Sequence, residues 1–456
     1  MRRVHLGVLF AMTLAATPAH SSPSSELIAP RVREAILENG LKVLVLPIHK
    51  APVATLQVWY RVGSRNEHLG KTGLSHLLEH MMFKGTEKVG PEEFTKIVQR
   101  NGGETNAFTS TDYTTYFETL SADRLGKMME LEADRMRNLK LVESLFEPER
   151  KVVMEERRLR SVDNPWGALF EELSAAAYRA HPYMWPIVGW MRDLETVTVG
   201  DLQAHYQTYY APNNAIVVVA GDVDPEKTIE AVRETFGDLD AGPPPPAVTA
   251  VEPQQNGERR IYVKKEANLG SLVWAYQVPN LTHPDSYALE VLATLLSGGE
   301  SSRLYRRLVI EKRLALDIGA DYPLLSLDPN LFTLTAQLLP DKKPTDLEPA
   351  LEKEIATLIE KGVETRELAK AKNQLEAQFV FGQDSNFYQA MLLARFDLLG
   401  DWKNIDKYLP GIRAVTEEDV RRAAKQYLVE DRRTVGVLVP TGPSKNPAGP
   451  PSAMLH

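Results

Sequence analysis

The chain has 456 residues, of which 43% are hydrophobic and 25% charged, with a formal net charge of −8 and no cysteine. This composition is ordinary for a globular protein of two or three domains. The negative charge argues against nucleic acid as the main partner, because phosphate binding needs a basic face. The lack of cysteine excludes disulfides and thiolate metal sites, so any metal ligands must be His, Asp or Glu.

The amino terminus has the pattern of a secretory signal peptide. Arg2 and Arg3 form a basic start, residues 6–16 are an apolar run, and 19–21 offers a small-residue cleavage site. The apolar run is too short to span a bilayer stably, and no later segment is apolar enough to do so. We therefore expect residues 1–22 to be a signal peptide, and the mature protein to be exported to the periplasm or secreted, without stable membrane insertion.

Strand and helix patterns then alternate through the first half. Residues 32–37 and 41–46 are strand-like and joined at Asn39-Gly40, a strong hairpin signal, and residues 53–62 place apolar side chains on one face. The further predictions, in chain order, are a helix over 91–102, strands over 105–110 and 114–120, a long helix capped by Ser121, a helix over 149–162 begun by Pro148, a helix over 198–209 and a buried strand over 215–220.

Residues 73–82 predict a helix with His76, Glu79 and His80 on one face, because positions three and four apart are neighbours on a helix. The two histidines can point at one metal ion. A catalytic zinc site has three protein ligands and keeps its fourth position for water. Glu79 would take a proton from that water as general base. On this spacing alone, packed or solvated histidines remain an alternative to a metal site.

A site with two histidines needs a third ligand, and the helix over 149–162 carries three candidate glutamates. Glu149 and Glu156 are seven positions apart and share a face, whereas Glu155 lies about 100° from Glu156. A solvated charged face is the simpler interpretation for most of the charged residues there. The residues alone leave the choice open.

The proline run 243–246 predicts a stiff, extended linker, because it fits neither a helix nor a central strand. We therefore divide the mature chain into an N-terminal domain (27–238), a linker (239–256), a C-terminal domain (257–440) and a disordered tail (441–456).

The second domain repeats the plan of the first. The same three residue types occur at equal offsets before a strand in each half, at Thr198, Asp201 and Tyr209 and at Thr416, Asp419 and Tyr427. The helix predicted over 286–296 takes the place of the His/Glu helix. It has Leu289, Leu292 and Ala293 where the first copy has its histidines and glutamate, so we expect no metal site in the second copy.

These segments resemble the pitrilysin, insulin-degrading enzyme and mitochondrial processing peptidase family of zinc peptidases, the inverzincins, in its short two-domain bacterial form. The resemblance covers nearly the whole mature chain and is most specific over 73–86, 101–109 and 149–156. It implies an α+β fold of two similar tandem domains. Each would be a mainly antiparallel sheet with helices packed on one face, and the two would face each other across a chamber.

The resemblance also implies the roles of individual residues. His76, His80 and Glu156 would bind one zinc ion, with Glu155 as the nearest rival for the third position, and Glu79 would be the base. Glu149 would support the ligands from behind. Asn106 and Ala107 match the edge strand on which the family lays an extended peptide substrate. From the residues alone, Asn106 would be only a turn or strand-end residue.

One departure from the family pattern bears on function. Active members supply an arginine and a tyrosine, seven positions apart, to hold the substrate carbonyl, and Val309 and Leu316 occupy those places here. We therefore expect a zinc metalloendopeptidase that acts with a homologous partner chain carrying the Arg/Tyr pair, although a homodimer is possible. Its substrates would be extended oligopeptides or small unfolded proteins. The alternative is an inert scaffold or binding subunit of the same family.

Overall fold

A computed structural model describes residues 27–443 of the chain. The predicted signal peptide and all but the first three residues of the predicted tail lie outside this range. Between residues 27 and 443, no helix is both long and apolar enough to cross a membrane.

The first half is built on a six-stranded sheet in the order β1-β2-β6-β3-β5-β4. Neighbouring strands are antiparallel except for β2 and β6, which are parallel. Its strands are β1 Arg33–Ile36, β2 Lys42–Pro47, β3 Val53–Tyr60, β4 Glu104–Thr109, β5 Thr114–Ser121 and β6 Ala215–Gly221. The hairpin predicted at Asn39-Gly40 is confirmed as the β1–β2 connection.

The second half is built on a five-stranded sheet in the order β7-β11-β8-β10-β9, again with one parallel pair, β7 and β11. Its strands are β7 Arg259–Lys265, β8 Ser271–Val278, β9 Ala315–Asp321, β10 Asn330–Leu338 and β11 Arg433–Pro440. When β1 is left out, the strands of the first sheet (β2-β6-β3-β5-β4) correspond one by one to those of the second (β7-β11-β8-β10-β9). The parallel pair, β2–β6 or β7–β11, then lies at the same edge of each sheet. No strand or helix lies between 240 and 256.

Fourteen α-helices of residues 27–443 surround the sheets. Those of the first half are α1 Leu74–Met81, α2 Glu93–Arg100, α3 Leu125–Asn138, α4 Glu143–Arg157, α5 Pro165–Ala177, α6 Met191–Thr196, α7 Val199–Tyr209 and α8 Pro225–Phe236. Those of the second half are α9 Ser286–Ser297, α10 Pro344–Lys361, α11 Thr365–Gly382, α12 Asn386–Leu398, α13 Tyr408–Ala414 and α14 Glu417–Tyr427. The α+β, two-sheet prediction is confirmed.

One face of each sheet packs against helices of its own half, and the opposite face is covered by a helix of the other half. On the first sheet, Trp59 and Val218 pack with Leu393 of α12. On the second sheet, Val273 packs with Leu169 of α5. We call α5 and α12 the exchanged helices. Burial of apolar side chains on both faces joins the two halves directly.

Charged contacts hold the exchanged helices at their ends. The buried carboxylate of Asp397 in α12 pairs with Lys42 Nζ at 2.7 Å and with Arg61 Nη2 at 2.6 Å. Arg259 of β7 donates to the last carbonyl oxygens of α5, those of Ala176 and Ala177, at 2.8 Å. A cation at a helix carboxyl end also interacts favourably with the helix dipole.

Two predicted helix starts are wrong. Ser121 does not cap α3, because a 3-10 turn over Ala122–Arg124 intervenes and the Ser121 hydroxyl donates to Asp123 instead. Pro148 does not begin α4, which starts at Glu143 and contains the proline. The proline costs this helix one backbone hydrogen bond, while the additional turns bury Phe146, which is 1% exposed.

Candidate metal centre

Helix α1 is fixed at its amino end by an unusual cap. Gly73 has φ of 90°, and a Cβ there would lie 2.5 Å from the Val188 carbonyl oxygen, so the position requires glycine. The carboxylate of buried Glu67 accepts the backbone N–H groups of Gly73 and Ser75, both at 2.7 Å. The carboxyl group satisfies free N–H groups at this end of the helix, and burial raises its pKa to about 8. The cap therefore sets the position of the helix that carries both histidines.

His76, His80 and Glu156 form the only group of three or more His, Cys, Asp or Glu side chains between residues 27 and 443 whose ligand atoms all lie within 4.8 Å of one another. Glu156 Oε2 is 3.2 Å from His80 Nε2 and 3.7 Å from His76 Nε2. Tetrahedral zinc with bonds of about 2.0–2.1 Å separates its ligand atoms by about 3.3–3.4 Å. The donor set therefore fits a zinc ion in chemistry, and the distances from Glu156 to the two histidines are close to the spacing of zinc ligands.

The two neighbouring glutamates of α4 point in different directions. Glu155 is exposed and pairs with Arg158, one turn along the helix surface. Glu156 turns towards α1, and its other oxygen, Oε1, lies 2.7 Å from Arg160 Nη2. Of these two neighbouring glutamates, only Glu156 lies with the histidines.

Glu149 lies behind His80, on the side away from Glu156. Its Oε1 accepts the Nδ1 proton of His80 at 2.9 Å, and its Oε2 pairs with Lys84 Nζ at 2.6 Å. A hydrogen bond at Nδ1 leaves Nε2 as the nitrogen that can bind a metal and fixes the orientation of the ring. Lys84 was not predicted as a site residue, although its position four residues after His80 was a signal for it.

The two histidines have opposite electrostatic environments. Burial, assisted by the charge of His80, lowers the pKa of His76 to about 3. Burial also disfavours charge on His80, but hydrogen bonds with Glu149 and Glu156 outweigh it and raise the pKa of His80 to about 9. Burial of Glu156 is outweighed in the same way, chiefly by His80, and its pKa falls to about 2. The metal-free site therefore holds one proton, on His80. This proton lies where a metal cation can bind.

Glu79 lies on the same face of α1 and is held by a residue of β4. The Thr109 hydroxyl donates to Glu79 Oε2 at 2.6 Å, which leaves Oε1 without this bond. Burial raises the pKa of Glu79, as expected of a carboxylate that takes up a proton near neutral pH. Sequence reasoning did not single out Thr109, although it is two positions after Ala107 and so on the same face of the strand.

Asn106 and Ala107 lie inside β4, at the edge of the first sheet. Between residues 27 and 443, β4 pairs only with β5, so its other edge is free. The exposed side chain of Asn106 accepts the Ala107 N–H at 2.9 Å. Asn106 is therefore a residue of the strand interior rather than of a turn, and the edge runs to Thr109 beside Glu79.

The segment that departs from the family pattern lies in the second half. Val309 is half-buried in a π-helical segment, Tyr305–Glu311, and Leu316 is exposed in β9. Neither side chain can donate a hydrogen bond to a carbonyl oxygen. The counterpart positions of α1, Leu289, Leu292 and Ala293 in α9, are buried in the core of the second half.

Comparison with known proteins gives a consistent result. A family described as "Insulinase (Peptidase family M16)" matches residues 42–189, and one described as "Peptidase M16 inactive domain" matches residues 196–375. "Zinc protease PqqE" of Helicobacter pylori is 36% identical over 92% of this chain and 95% of its own. A "Probable mitochondrial-processing peptidase subunit beta" of Arabidopsis thaliana is 28% identical over 93% and 81%. The crystal structure of a protease from Helicobacter pylori superposes with a TM-score of 0.87 at 36% identity, covering 90% of this chain and 99% of that one.

Proposed function

This chain belongs to the insulinase family of peptidases, M16, and from that premise we propose that it is a zinc-dependent metalloendopeptidase. One observation carries the proposal: His76, His80 and Glu156 offer three donor atoms within 4.8 Å of one another, with Glu79 on the same helix face as the histidines. We would not expect a catalytically inactive relative to retain all three donors in this arrangement.

Each residue has a distinct task in the proposed reaction. His76, His80 and Glu156 hold the zinc ion, and Glu149 orients His80. When bound, zinc supplies Lewis acidity, which lowers the pKa of water and polarises a carbonyl oxygen. Glu79 takes a proton from the attacking water at Oε1, the oxygen that Thr109 leaves free, and passes it to the departing amine.

The proposed substrate is a peptide in extended conformation. A segment that adds to the free edge of β4 forms main-chain hydrogen bonds, which read backbone shape more than side-chain sequence. Asn106 and Ala107 provide part of that edge. This favours oligopeptides and small unfolded proteins over folded ones, whose backbone groups are already paired.

We further propose that the active form has two chains. Stabilising the developing oxyanion is usually a large catalytic contribution, and Val309 and Leu316 cannot make it. A homologous chain with the Arg/Tyr pair would complete the site, and a homodimer is the other possible assembly. The amino-terminal pattern of residues 1–22 supports export to the periplasm or beyond as part of the same proposal.

The test combines metal content with peptide cleavage. We expect about one zinc per chain, loss of cleavage in Glu79→Gln with zinc retained, and loss of zinc in Glu156→Gln. Glu155→Gln is the matched control, since it alters the adjacent, exposed glutamate and should change neither property. The assay is repeated with a homologous chain that carries the Arg/Tyr pair added.

The outcomes separate the alternatives. A chain without zinc, or one whose cleavage survives Glu79→Gln, contradicts the peptidase proposal and favours the inert scaffold. Full activity of the single chain, unchanged by the homologue, contradicts only the two-chain part.

A further inference from the structure

A cavity of about 330 Å³ lies in the second half, between α9, the end of β9, α11, α12 and α13. We call it the seam cavity, because it forms where the core of the second half meets exchanged helix α12. Its charged lining residues are Glu290, Asp321 and Arg395. None of them belongs to the metal centre. The volume is within the range of small-molecule sites in proteins.

The charged groups of the seam cavity lie too far apart to form ion pairs with one another. Between residues 27 and 443, the side chains of Asp321 and Arg395 have no hydrogen bond and no ion pair within 4 Å, although the chain has many ion pairs elsewhere. The Nε of Arg395 is buried without a partner. Glu290 faces the Tyr408 hydroxyl, and the charge of Arg395 acts on it from beyond ion-pair distance. Buried polar groups are normally paired, so the unpaired Nε of Arg395 beside a cavity points to a ligand, whereas Asp321 is exposed and can be solvated.

The two signs of charge restrict the chemistry of that ligand. Glu290 and Arg395 carry opposite charges on the walls of the cavity without forming an ion pair, and Asp321, which is exposed to solvent, adds a second carboxylate. Burial and the charge of Asp321 raise the pKa of Glu290 to about 8 although Arg395 lowers it, so a further cation beside the two acids would be stabilised. Arg395 requires an anion, and its planar guanidinium suits a carboxylate. A simple cation would leave Arg395 unpaired, and a simple anion would leave the two acids unpaired. A ligand with both an ammonium group and a carboxylate satisfies all three.

The remaining walls define the rest of the ligand. Leu375, Phe379 and Leu392, from α11 and α12, give the cavity an apolar side. We propose that the seam cavity binds a free α-amino acid or dipeptide with an apolar side chain, its ammonium group on Glu290 and Asp321 and its carboxylate on Arg395. This binding site goes beyond the proposed peptidase function and does not depend on it.

Isothermal titration of the full, zinc-loaded chain tests the proposal. The probes are L-leucine and L-leucyl-L-leucine, with 3-methylbutylamine and 4-methylpentanoate as analogues that lack the carboxylate or the ammonium group. We expect saturable binding of at least one of the first two, and binding of each analogue that is weaker by about tenfold or more, because each loses a hydrogen bond to a charged group.

Variants locate the binding. Arg395→Gln and Asp321→Asn should each weaken it by about tenfold or more, whereas Asp317→Asn, an exposed position on the same strand, should not change it. His80→Gln should also leave it unchanged, which separates the cavity from chelation at the zinc. If a variant is poorly folded, titration of the unchanged chain with the two analogues still tests the proposal.

Three results would overturn the proposal: no saturable binding of either probe, equal binding of the analogues, or binding that disappears in His80→Gln and persists in Arg395→Gln. None of these results bears on whether the chain cleaves peptides, so the two proposals fail independently.

Discussion

The number of protons released when zinc binds is a direct test of the electrostatics of the metal centre. In the metal-free site His80, with a pKa of about 9, carries a proton, while His76 and Glu156, with pKa values of about 3 and 2, do not. Zinc requires all three side chains deprotonated. Binding at pH 5.5 should therefore release about one proton, from His80 alone.

If the three ligands instead had ordinary pKa values, zinc binding would release a clearly different number of protons. Two histidines at their ordinary pKa of about 6.5 would together hold about 1.8 protons at pH 5.5, and a glutamate with an ordinary pKa about 0.1 more. Release of about 1.9 protons would then be expected. A pH of 5.5 also lies well below the pKa near 7 of water bound to catalytic zinc, so that group adds little to the count.

Calorimetric titration of zinc into the metal-free chain, in buffers of different ionisation enthalpy, measures this number. The same proton makes zinc affinity fall as pH falls below about 9, by about tenfold per unit. Glu155→Gln serves as the control and should release the same number of protons as the unchanged chain. Release near two protons, or near zero, would refute the assignment of the single proton to His80.

Three further predictions concern positions around the site and the core. Thr109→Val should lower kcat by about 10- to 100-fold with little change in KM, because Glu79 loses its positioning bond, and Thr109→Ser should restore it in steady-state kinetics. Glu67→Gln should destabilise the chain by about 1–3 kcal/mol in urea unfolding, because an amide cannot accept both N–H groups at the start of α1. Leu393→Ala, in the buried face of α12, should cost about 2–5 kcal/mol in the same assay, and a cost below 1 kcal/mol would contradict the packing described for that helix.

Local features of the fold were predictable because local rules govern them. The hairpin at Asn39-Gly40 follows from turn chemistry, and the paired caps at Thr198 and Thr416 follow from side chains that accept a backbone N–H three residues on. The face of α1 follows from helical periodicity. In each case the residues that decide the structure are neighbours in sequence.

Long-range placement was not predictable in the same way. The parallel pairing of β2 with β6 joins residues far apart in sequence, and no turn encodes it. Helix α12 is buried almost all round, which indicates a central helix but not which sheet it covers. The start of α4 was missed because burial of Phe146 overrides a local proline signal.

The same contrast between local sequence signals and long-range contacts applies to the candidate site. Helical spacing gave His76, Glu79 and His80, whereas Glu156 was preferred to Glu155 only through family resemblance. Thr109 and Lys84 act by contacts across elements, Thr109 from β4 to Glu79 and Lys84 from the end of α1 to Glu149. A sequence pattern shows that such side chains exist, but only the packed structure shows what they touch.

The exchanged helices have a consequence for how the molecule comes apart. Since α5 seals the sheet of the second half and α12 that of the first, a protease nick in the proline-rich connection would leave two fragments interlocked. Such fragments should co-migrate as one particle under native conditions and separate only in denaturant. Conversely, neither fragment made by itself would have a complete core, so each should be insoluble until its complement is co-expressed.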